Sequence, residues 1–328
     1  MNYTLYCLEF INGVHFGRGN LDSSEITFHA DTLFSALFQE VLKMKKQDRF
    51  LKQVSDGKII FSDAFPYIGK IYYIPKPMIA VQTEDETDFV FAKNITCPVC
   101  DESFQTLTVR TSKIRFAGSD DDFRPVYKGI DTIKYGVTSC PHCGYSAMNG
   151  DFVHVSSTQI RLLKEQVAAK FKPRSKSVPL LYSYDEAIDR YKLALFSAIV
   201  KRAPYSEKAY ICLKLSWLYR GLLEQLASDC RSTDSEEVAS AQKSEKYYYE
   251  QALDGMTRAV ATEHFPICGM NQDTVDLLLA QMNHKLGHLD VASKLVARVL
   301  VSKSASRHIK DKALDLKNDI IKKIRDVK

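Results

Sequence analysis

The chain contains 328 residues, which is enough for about two domains of ~150 residues each. Hydrophobic residues make up 45% and charged residues 26%, with 14 Gly and 10 Pro, so a disordered or fibrous chain is excluded. The net charge is +5, and the longest nearly apolar run, Leu193–Val200, is far shorter than the ~20 residues needed to span a bilayer. Because no basic residue precedes Arg18 and no apolar signal core is present, we expect a cytoplasmic protein without a membrane segment.

The positive charge is distributed unevenly along the chain. Residues 1–86 contain nine Lys and Arg against eleven Asp and Glu, and residues 87–155 contain seven against eight. Residues 156–328 contain 29 basic and 21 acidic residues. The surplus therefore belongs to the C-terminal half, where it is compatible with an acidic or RNA partner and equally with the solvated surface of a helical domain.

Three segments with different patterns predict a multi-domain α+β protein, divided as 1–86, 87–155 and 156–328. The first segment mixes strand and helix patterns, whereas the second consists of short strands with Gly and Asp turns. The third has helical periodicity nearly throughout, with predicted breaks at 172–179, 203–206, 229–235, 264–272 and 302–306. Within the first segment we predict three strands, at Tyr3–Ile11, Lys58–Phe61 and Ile71–Ile74. A glycine-rich loop at 12–24 and one helix at Asp31–Lys46 lie between the first two of these strands.

The loop of the first segment has the sequence HFGRG, over His15–Gly19. Two glycines beside an arginine allow a backbone to approach a phosphate closely, although most glycine-rich turns after a strand are only structural. Asp31 or Thr32 is placed to cap the helix that follows.

Residues 1–79 resemble the RAMP-type subunit that caps the guide-RNA 5′ handle in type III-A (Csm) CRISPR effectors. The matching stretches are HFGRGNLDSSEITFHADTLFSALF, SDAFPY and IPKPM, at 15–38, 62–67 and 74–78. The resemblance implies a ferredoxin-like fold, binding of guide RNA and of CRISPR effector subunits, and no catalysis. By position it places RNA contacts at His15, Gly17, Arg18, Gly19, His29 and Asp31.

The RAMP pattern stops near Met78, which leaves one helix and about three strands of the β-α-β-β-α-β order of that fold. The segment is therefore a partial ferredoxin-like unit. Half a sheet has an open edge and an incompletely covered apolar face, so a truncated, inactive segment is the alternative. A joining of two coding sequences near Thr83 would also explain why the RAMP pattern ends so sharply.

Two C-x-x-C pairs delimit the second segment and predict one structural zinc ion in a zinc ribbon. Two intervening residues let one tight turn present both thiolates to a tetrahedral ion. Three alternatives fit this pattern less well. A redox site needs only one C-x-x-C pair, and disulfides are rare in a chain without a secretory signal. A catalytic zinc needs an open coordination position, which four thiolates would close. The predicted ligands are Cys97, Cys100, Cys140 and Cys143, with His142 and His154 as the replacement candidates.

The third segment predicts six or so helices stacked as a short solenoid of tetratricopeptide-like repeats, which would offer a groove to a protein or peptide ligand. The pattern is clearest over 274–300, where a helix ends at Leu286-Gly287 and a second carries Ala292. Tyrosines at helical spacing, Tyr182, Tyr184, Tyr191 and Tyr247–Tyr249, fit inter-helix packing better than ligand stacking. The basic last helix, Lys310–Lys328, fits a capping helix.

Residues 92–328 also resemble a bacterial family of unknown function. The shared features are the CPVC opening, the CPHCGY second pair and a tail of tetratricopeptide-like helices. This resemblance implies zinc and a fold but no activity.

No nucleotide-binding, metalloprotease or hydrolase motif is found in the sequence, and the acidic runs at 84–86 and 120–122 are interpreted as solvated loops. We therefore predict a non-enzymatic protein that binds guide RNA and effector subunits in antiviral defence. The alternative is a zinc-stabilised, tetratricopeptide-like scaffold for protein interactions, in which the RAMP segment is inactive. No sequence feature indicates a small-molecule substrate.

Overall fold

The computed structural model describes residues 30–60, 67–68, 71–72, 85–173, 178–228 and 235–326. The chain forms two compact units, Met1–Thr83 and Glu84–Lys328. None of the described helices carries an apolar stretch long enough to cross a lipid bilayer.

In the first unit, helices α1 (Ala30–Lys43) and α2 (Gln47–Ser55) are joined by a short turn. The rings of Phe34 and Phe38 on α1 each pack against Phe50 of α2, with centroids 5.8 and 6.2 Å apart. A two-residue strand pair follows, β1 (Tyr67–Ile68) antiparallel to β2 (Ile71–Tyr72). The predicted first helix is thus found, whereas α2 has no counterpart in the sequence prediction.

The predicted strand Lys58–Phe61 is wrong for its described residues, 58–60, which form a turn and bend after α2. The amides of Lys58 and Ile59 donate to the Gln53 carbonyl at 2.9 and 3.2 Å, and Gly57 has φ +68°. This closure of the helix C-terminus occupies the amide groups that a sheet partner would need. Tyr3–Ile11 and the loop 12–24 lie outside the described residues.

The second unit begins with three antiparallel strand pairs. They are β3 (Val90–Thr96) with β4 (Ser103–Val109), β5 (Phe116–Ser119) with β6 (Pro125–Tyr127), and β7 (Val137–Ser139) with β8 (Ser146–Met148). The register of β3 and β4 pairs Val90 with Val109 and Thr96 with Ser103. The first and third pairs are hairpins whose turns contain the four predicted cysteine ligands.

Seven described helices follow the strands, and their boundaries agree with the helical breaks predicted from the sequence. They are α3 (Ser157–Gln166), α4 (Tyr184–Val200), α5 (Tyr205–Ser228), α6 (Ser235–Thr262), α7 (Gln272–Lys285), α8 (Leu289–Val301) and α9 (Arg307–Asp326). Polar N-cap residues explain where some of these helices begin. Ser156 and Gln159 form a reciprocal capping box at the start of α3, and the Asn271 side chain accepts a hydrogen bond from the Thr274 amide at the start of α7. From α4 to α9, each helix packs against the next one along the chain.

The strand and helix segments of this unit share their hydrophobic cores. Ile133 and Val137 pack with buried residues of α4 to α7, including Tyr191, Leu218 and Leu278. Hydrogen bonds link the same layers, from Tyr191 to the Ile133 carbonyl at 2.9 Å and from the Ser146 amide to Ser197 Oγ at 3.3 Å. The cysteine-bearing hairpins are therefore built into the helical body.

Candidate metal centre

The first cysteine pair forms the turn between β3 and β4. The Cys97 amide donates to the Glu102 carbonyl at 3.0 Å, and the Asp101 amide donates back to the Cys97 carbonyl at 2.9 Å. The Val99 amide points at Cys97 Sγ, 3.4 Å away. Asp101 closes the turn at φ +60°, a left-handed conformation that Asp tolerates better than most residues. This geometry presents both sulfurs on one side of the turn.

The second pair repeats that geometry between β7 and β8. The Cys140 amide donates to the Tyr145 carbonyl at 2.9 Å, and the Gly144 amide donates to the Cys140 carbonyl at 3.0 Å. Gly144, at φ +76°, holds the position equivalent to Asp101. The two hairpins are thus matching knuckles, in which the residue four places after the first cysteine adopts φ > 0.

The four sulfurs converge to one point. Cys97 Sγ lies 3.6 Å from Cys143 Sγ, and Cys100 Sγ lies 3.7 Å from Cys140 Sγ. All four lie within 4.8 Å of one another. A tetrahedral ion with Zn–S bonds of about 2.3 Å requires sulfurs roughly 3.8 Å apart, so the cluster has the dimensions of a four-thiolate metal site. The cluster contains neither His142 nor His154.

Electrostatics explain why such a cluster needs a cation. Hydrogen bonds with Cys143 and Cys97 lower the pKa of Cys140, whereas hydrogen bonds with Cys140 and Cys97, together with burial, raise the pKa of Cys143. These directions favour the thiolate form of Cys140 and the thiol form of Cys143. Four thiolates at this spacing would repel one another strongly, and a bound divalent cation removes that repulsion.

An apolar shell surrounds the sulfurs and attaches them to the helices. Cys97, Cys140 and Cys143 are buried, and their shell includes Leu163 and Val167 after β8 and Val200 at the end of α4. The Tyr145 ring stacks on Phe152 at 4.9 Å, and its hydroxyl donates to the Phe152 carbonyl at 3.1 Å. Only Cys100 of the four is partly exposed, and a largely enclosed four-sulfur site favours a structural role over an open catalytic one.

The other four cysteines have no paired spacing in the sequence, and those that the structure describes are not part of the cluster. Cys212 is buried, and burial raises the pKa of its thiol to about 12, while Cys268 donates to the Ser206 carbonyl at 3.4 Å. Cys7 and Cys230 lie outside the described residues. So do five of the six predicted RNA contacts, His15, Gly17, Arg18, Gly19 and His29; the sixth, Asp31, lies in the first turn of α1.

Two predictions about polar residues are corrected by the structure. The run 120–122 is not a solvated loop throughout, because Asp122 is buried and binds Arg220 at 2.7 Å. Glu86 of the other acidic run binds Lys134 at 2.7 Å and accepts from Tyr135 at 2.9 Å. No local sequence pattern reveals the role of Arg220, because Asp120 and Asp122 lie about a hundred residues before it in the chain.

The aromatic candidates mostly serve packing. Tyr182, Tyr191 and Tyr249 are buried, and Tyr184 donates to Asp131 Oδ2 at 3.0 Å. Tyr248 stacks on Tyr219 at 5.8 Å, while Tyr247 remains about half exposed.

Comparisons with known proteins confirm both resemblances noted in the sequence. The CRISPR system Cms protein Csm4 of Streptococcus thermophilus is 47% identical over 89 residues, which are 27% of this chain and 28% of that protein. Csm4 of Mycobacterium tuberculosis (strain ATCC 25618 / H37Rv) is 38% identical over 84 residues, 26% of this chain and 28% of that protein. The chain thus spans about 28% of the length of these curated relatives.

No solved structure matches the chain significantly. The model of a bacterial family, described as "Uncharacterized protein conserved in bacteria (DUF2225)", matches residues 90–320. That range contains the four clustered cysteines and extends through most of α9. Because the match covers well over half of the sequence, the chain belongs to this DUF2225 family.

Proposed function

We propose that the chain is a non-enzymatic binding component related to type III-A CRISPR systems, in which the segment resembling Csm4 contacts the guide-RNA 5′ handle and other effector subunits. The observation that carries this proposal is the 47% identity over 89 residues to Streptococcus thermophilus Csm4. Because that match spans 28% of the relative, the proposal concerns binding by this segment and does not extend to the relative's whole activity.

The proposed RNA contacts follow from residue chemistry. Arg18 would pair with a phosphate, while Gly17 and Gly19 leave room for the RNA backbone to approach the loop. His15 and His29 supply ring nitrogens and aromatic faces for base or ribose contacts. Asp31 lies in the first turn of α1, after the N-cap position, and would accept a hydrogen bond from a ribose hydroxyl.

We further propose that the four-cysteine centre holds one structural zinc ion. Four soft thiolates in a tetrahedral arrangement favour zinc or an iron–sulfur cluster among biological metals. The sulfur separations of 3.6 and 3.7 Å match a single ion with short Zn–S bonds. The zinc would fix the two knuckles to each other and so support the helices packed on them.

Metal analysis of the purified chain tests the zinc proposal. We expect about one zinc and no iron per chain. The Cys97→Ser variant should lose most of this zinc, whereas Cys212→Ser should retain it because Cys212 lies outside the cluster. Iron in place of zinc, or equal zinc in both variants, would contradict the assignment.

RNA titration of the full chain tests the binding proposal. At about 150 mM salt we expect tighter binding to an RNA with the guide 5′ handle than to a permuted RNA of equal length. Arg18→Ala should weaken handle binding about 5- to 10-fold. The control Arg307→Ala removes a basic side chain that is 96% exposed on α9 and should leave binding unchanged.

Two results would overturn the proposed RNA function. One is equal affinity for the two RNAs. The other is loss of affinity in Arg307→Ala but not in Arg18→Ala, which would attribute binding to the general basic surface of the C-terminal half. Either result would favour the alternative of a metal-stabilised scaffold for protein interactions.

A further inference from the structure

A pocket of about 570 Å³ lies in the second unit and has no role in the metal centre. Its walls come from the turn between β5 and β6 and from α5, α6, α7 and α9, with one or more residues from each. Its volume falls in the range of small-molecule sites, about 300–1,000 Å³.

Most of the charge around the pocket is internally compensated. Arg220 binds Asp120 at 2.8 Å, Asp122 at 2.7 Å and Glu245 at 3.2 Å. Lys285 also binds Glu245, at 2.9 Å. These pairs hold the wall rigid, because each long cation is fixed by a carboxylate on another element. They leave little net charge for a ligand to satisfy.

Two charges of opposite sign remain available at the opening. Asp121 and Lys323 both line the pocket, and within the described part of the chain neither forms an ion pair within 4.0 Å. Both residues are exposed. His284 lines the same wall, and its pKa is lowered by burial and by the Lys323 charge, so the ring is neutral at pH 7.

Buried polar groups without partners also line the pocket. Gln281 is only 9% exposed, and it lines the pocket. Tyr249 is 1% exposed, and its hydroxyl faces Asp122 without forming a hydrogen bond of ordinary geometry. His284 Nε2 is buried and has no hydrogen-bond partner among the described residues. Buried polar groups are nearly always hydrogen-bonded, so two such atoms in one pocket indicate a polar occupant.

We propose that this pocket binds a small zwitterionic ligand of the amino-acid class, a free amino acid or a dipeptide. Its ammonium group would pair with Asp121 and its carboxylate with Lys323. Gln281, Tyr249 and His284 would hydrogen-bond its polar atoms inside the pocket. The site is independent of the proposed RNA function, which depends on the first unit.

Thermal unfolding of the full, metal-loaded chain tests this proposal with the twenty L-amino acids and Gly-X dipeptides as probes. We expect at least one probe at about 5 mM to raise Tm by about 3 °C or more. Acetate and methylamine at the same concentration, each carrying one half of the zwitterion, should produce no such shift.

Calorimetric titration of the active probe then locates the site. Gln281→Leu and Lys323→Ala should each weaken binding about 10-fold or more, since each removes a hydrogen-bonded or ionic contact. Lys322→Ala, one residue away and not part of the pocket wall, should bind as the wild type. Lys323 is exposed, so its variant remains informative even if Gln281→Leu folds poorly.

The proposal is overturned if no amino acid or dipeptide stabilises the chain, or if acetate alone reproduces the shift. It is also overturned if Lys323→Ala binds the active probe as tightly as the wild type.

Discussion

Gly144 lies directly against the ring of Phe171, and no larger residue fits there without displacing that ring. A Cβ at Gly144 would lie 2.5 Å from Phe171 Cγ and closer still to Cδ2. The backbone at Gly144 has φ +76°, so the second knuckle requires glycine for its conformation as well as for space. This contact joins the knuckle to the segment that follows α3.

Gly144→Ala is therefore expected to lower the free energy of unfolding by about 3 kcal/mol, combining left-handed strain with overpacking. Gly287→Ala is the matched control, because Gly287 has φ +84° but open space around its Cα. It should lose only about 1 kcal/mol. Urea unfolding of both variants with metal bound measures the difference, and equal losses would show that the ring contact contributes nothing.

A second close approach predicts a compensating pair. Tyr191 is fully buried and donates to the Ile133 carbonyl, and a Cβ on Gly136 would overlap the Tyr191 hydroxyl oxygen. Tyr191→Phe should lose about 1–2 kcal/mol through the broken hydrogen bond. Gly136→Ala should lose about 2–3 kcal/mol through overlap.

The double variant Gly136→Ala/Tyr191→Phe should lose less unfolding free energy than the two single variants lose together. The reason is that Phe lacks the hydroxyl oxygen that the new methyl group would overlap. A double-mutant cycle from thermal or urea unfolding should give a coupling of about 1 kcal/mol or more. Strict additivity would mean that the clash is relieved by backbone movement instead.

The four-cysteine cluster was predictable from the sequence because its signal is local. Each C-x-x-C pair forms its own turn, and two such pairs in one segment predict the clustering of four sulfurs that the structure shows. Their role as zinc ligands stays a prediction. The boundaries of α4 to α9 were predictable for a similar reason, since helical periodicity and breaking residues act over a few residues. The tetratricopeptide-like arrangement and the RNA contacts stay predictions.

Interactions between distant segments were not predictable in the same way. Helix α2 is short and mostly polar, and its assignment depends on Phe50 packing with Phe34 and Phe38 of α1. The Asp122–Arg220 pair joins residues 98 positions apart. An acidic run of three residues is usually solvated, and only tertiary structure reveals that its last member is buried.

That ion pair predicts a specific pH dependence of stability. Burial alone would raise the pKa of Asp122, but hydrogen bonds and the charge of Arg220 lower it below its ordinary value. A carboxyl with a lowered pKa in the folded state stabilises the protein above its unfolded pKa of about 4 and loses this contribution as pH falls through the folded value. The wild type should therefore lose stability below about pH 4.

Arg220→Met should destabilise the chain by about 3–5 kcal/mol at pH 7, since it leaves the Asp122 carboxylate buried without its ion-pair partner. In this variant burial raises the pKa of Asp122, so the deficit should shrink as pH falls toward 4 and the carboxyl takes up a proton. Urea unfolding between pH 4 and pH 7 measures this trend. Adding Asp122→Asn should remove most of the pH dependence, and a deficit that stays constant in Arg220→Met would refute the explanation.

The packing of the cysteine centre on α3 and α4 predicts that metal removal affects the whole second unit. Val200 of α4 contacts the cysteine shell, while Ala198 and Ile188 of the same helix belong to the core that contains Trp217. Trp217 is the only tryptophan and is buried, so its fluorescence reports on that core. Structural zinc contributes on the order of 10 kcal/mol to folding, which exceeds the stability of many domains.

Excess chelator should therefore red-shift the Trp217 emission and reduce the helical circular dichroism in one transition, and added zinc should reverse both changes. The Cys97→Ser variant should behave like the chelated wild type without chelator, whereas Cys212→Ser should behave like the metal-loaded protein. If chelation releases the metal while Trp217 emission stays unchanged, the knuckles fold independently of the helices, and the shared core does not couple the two.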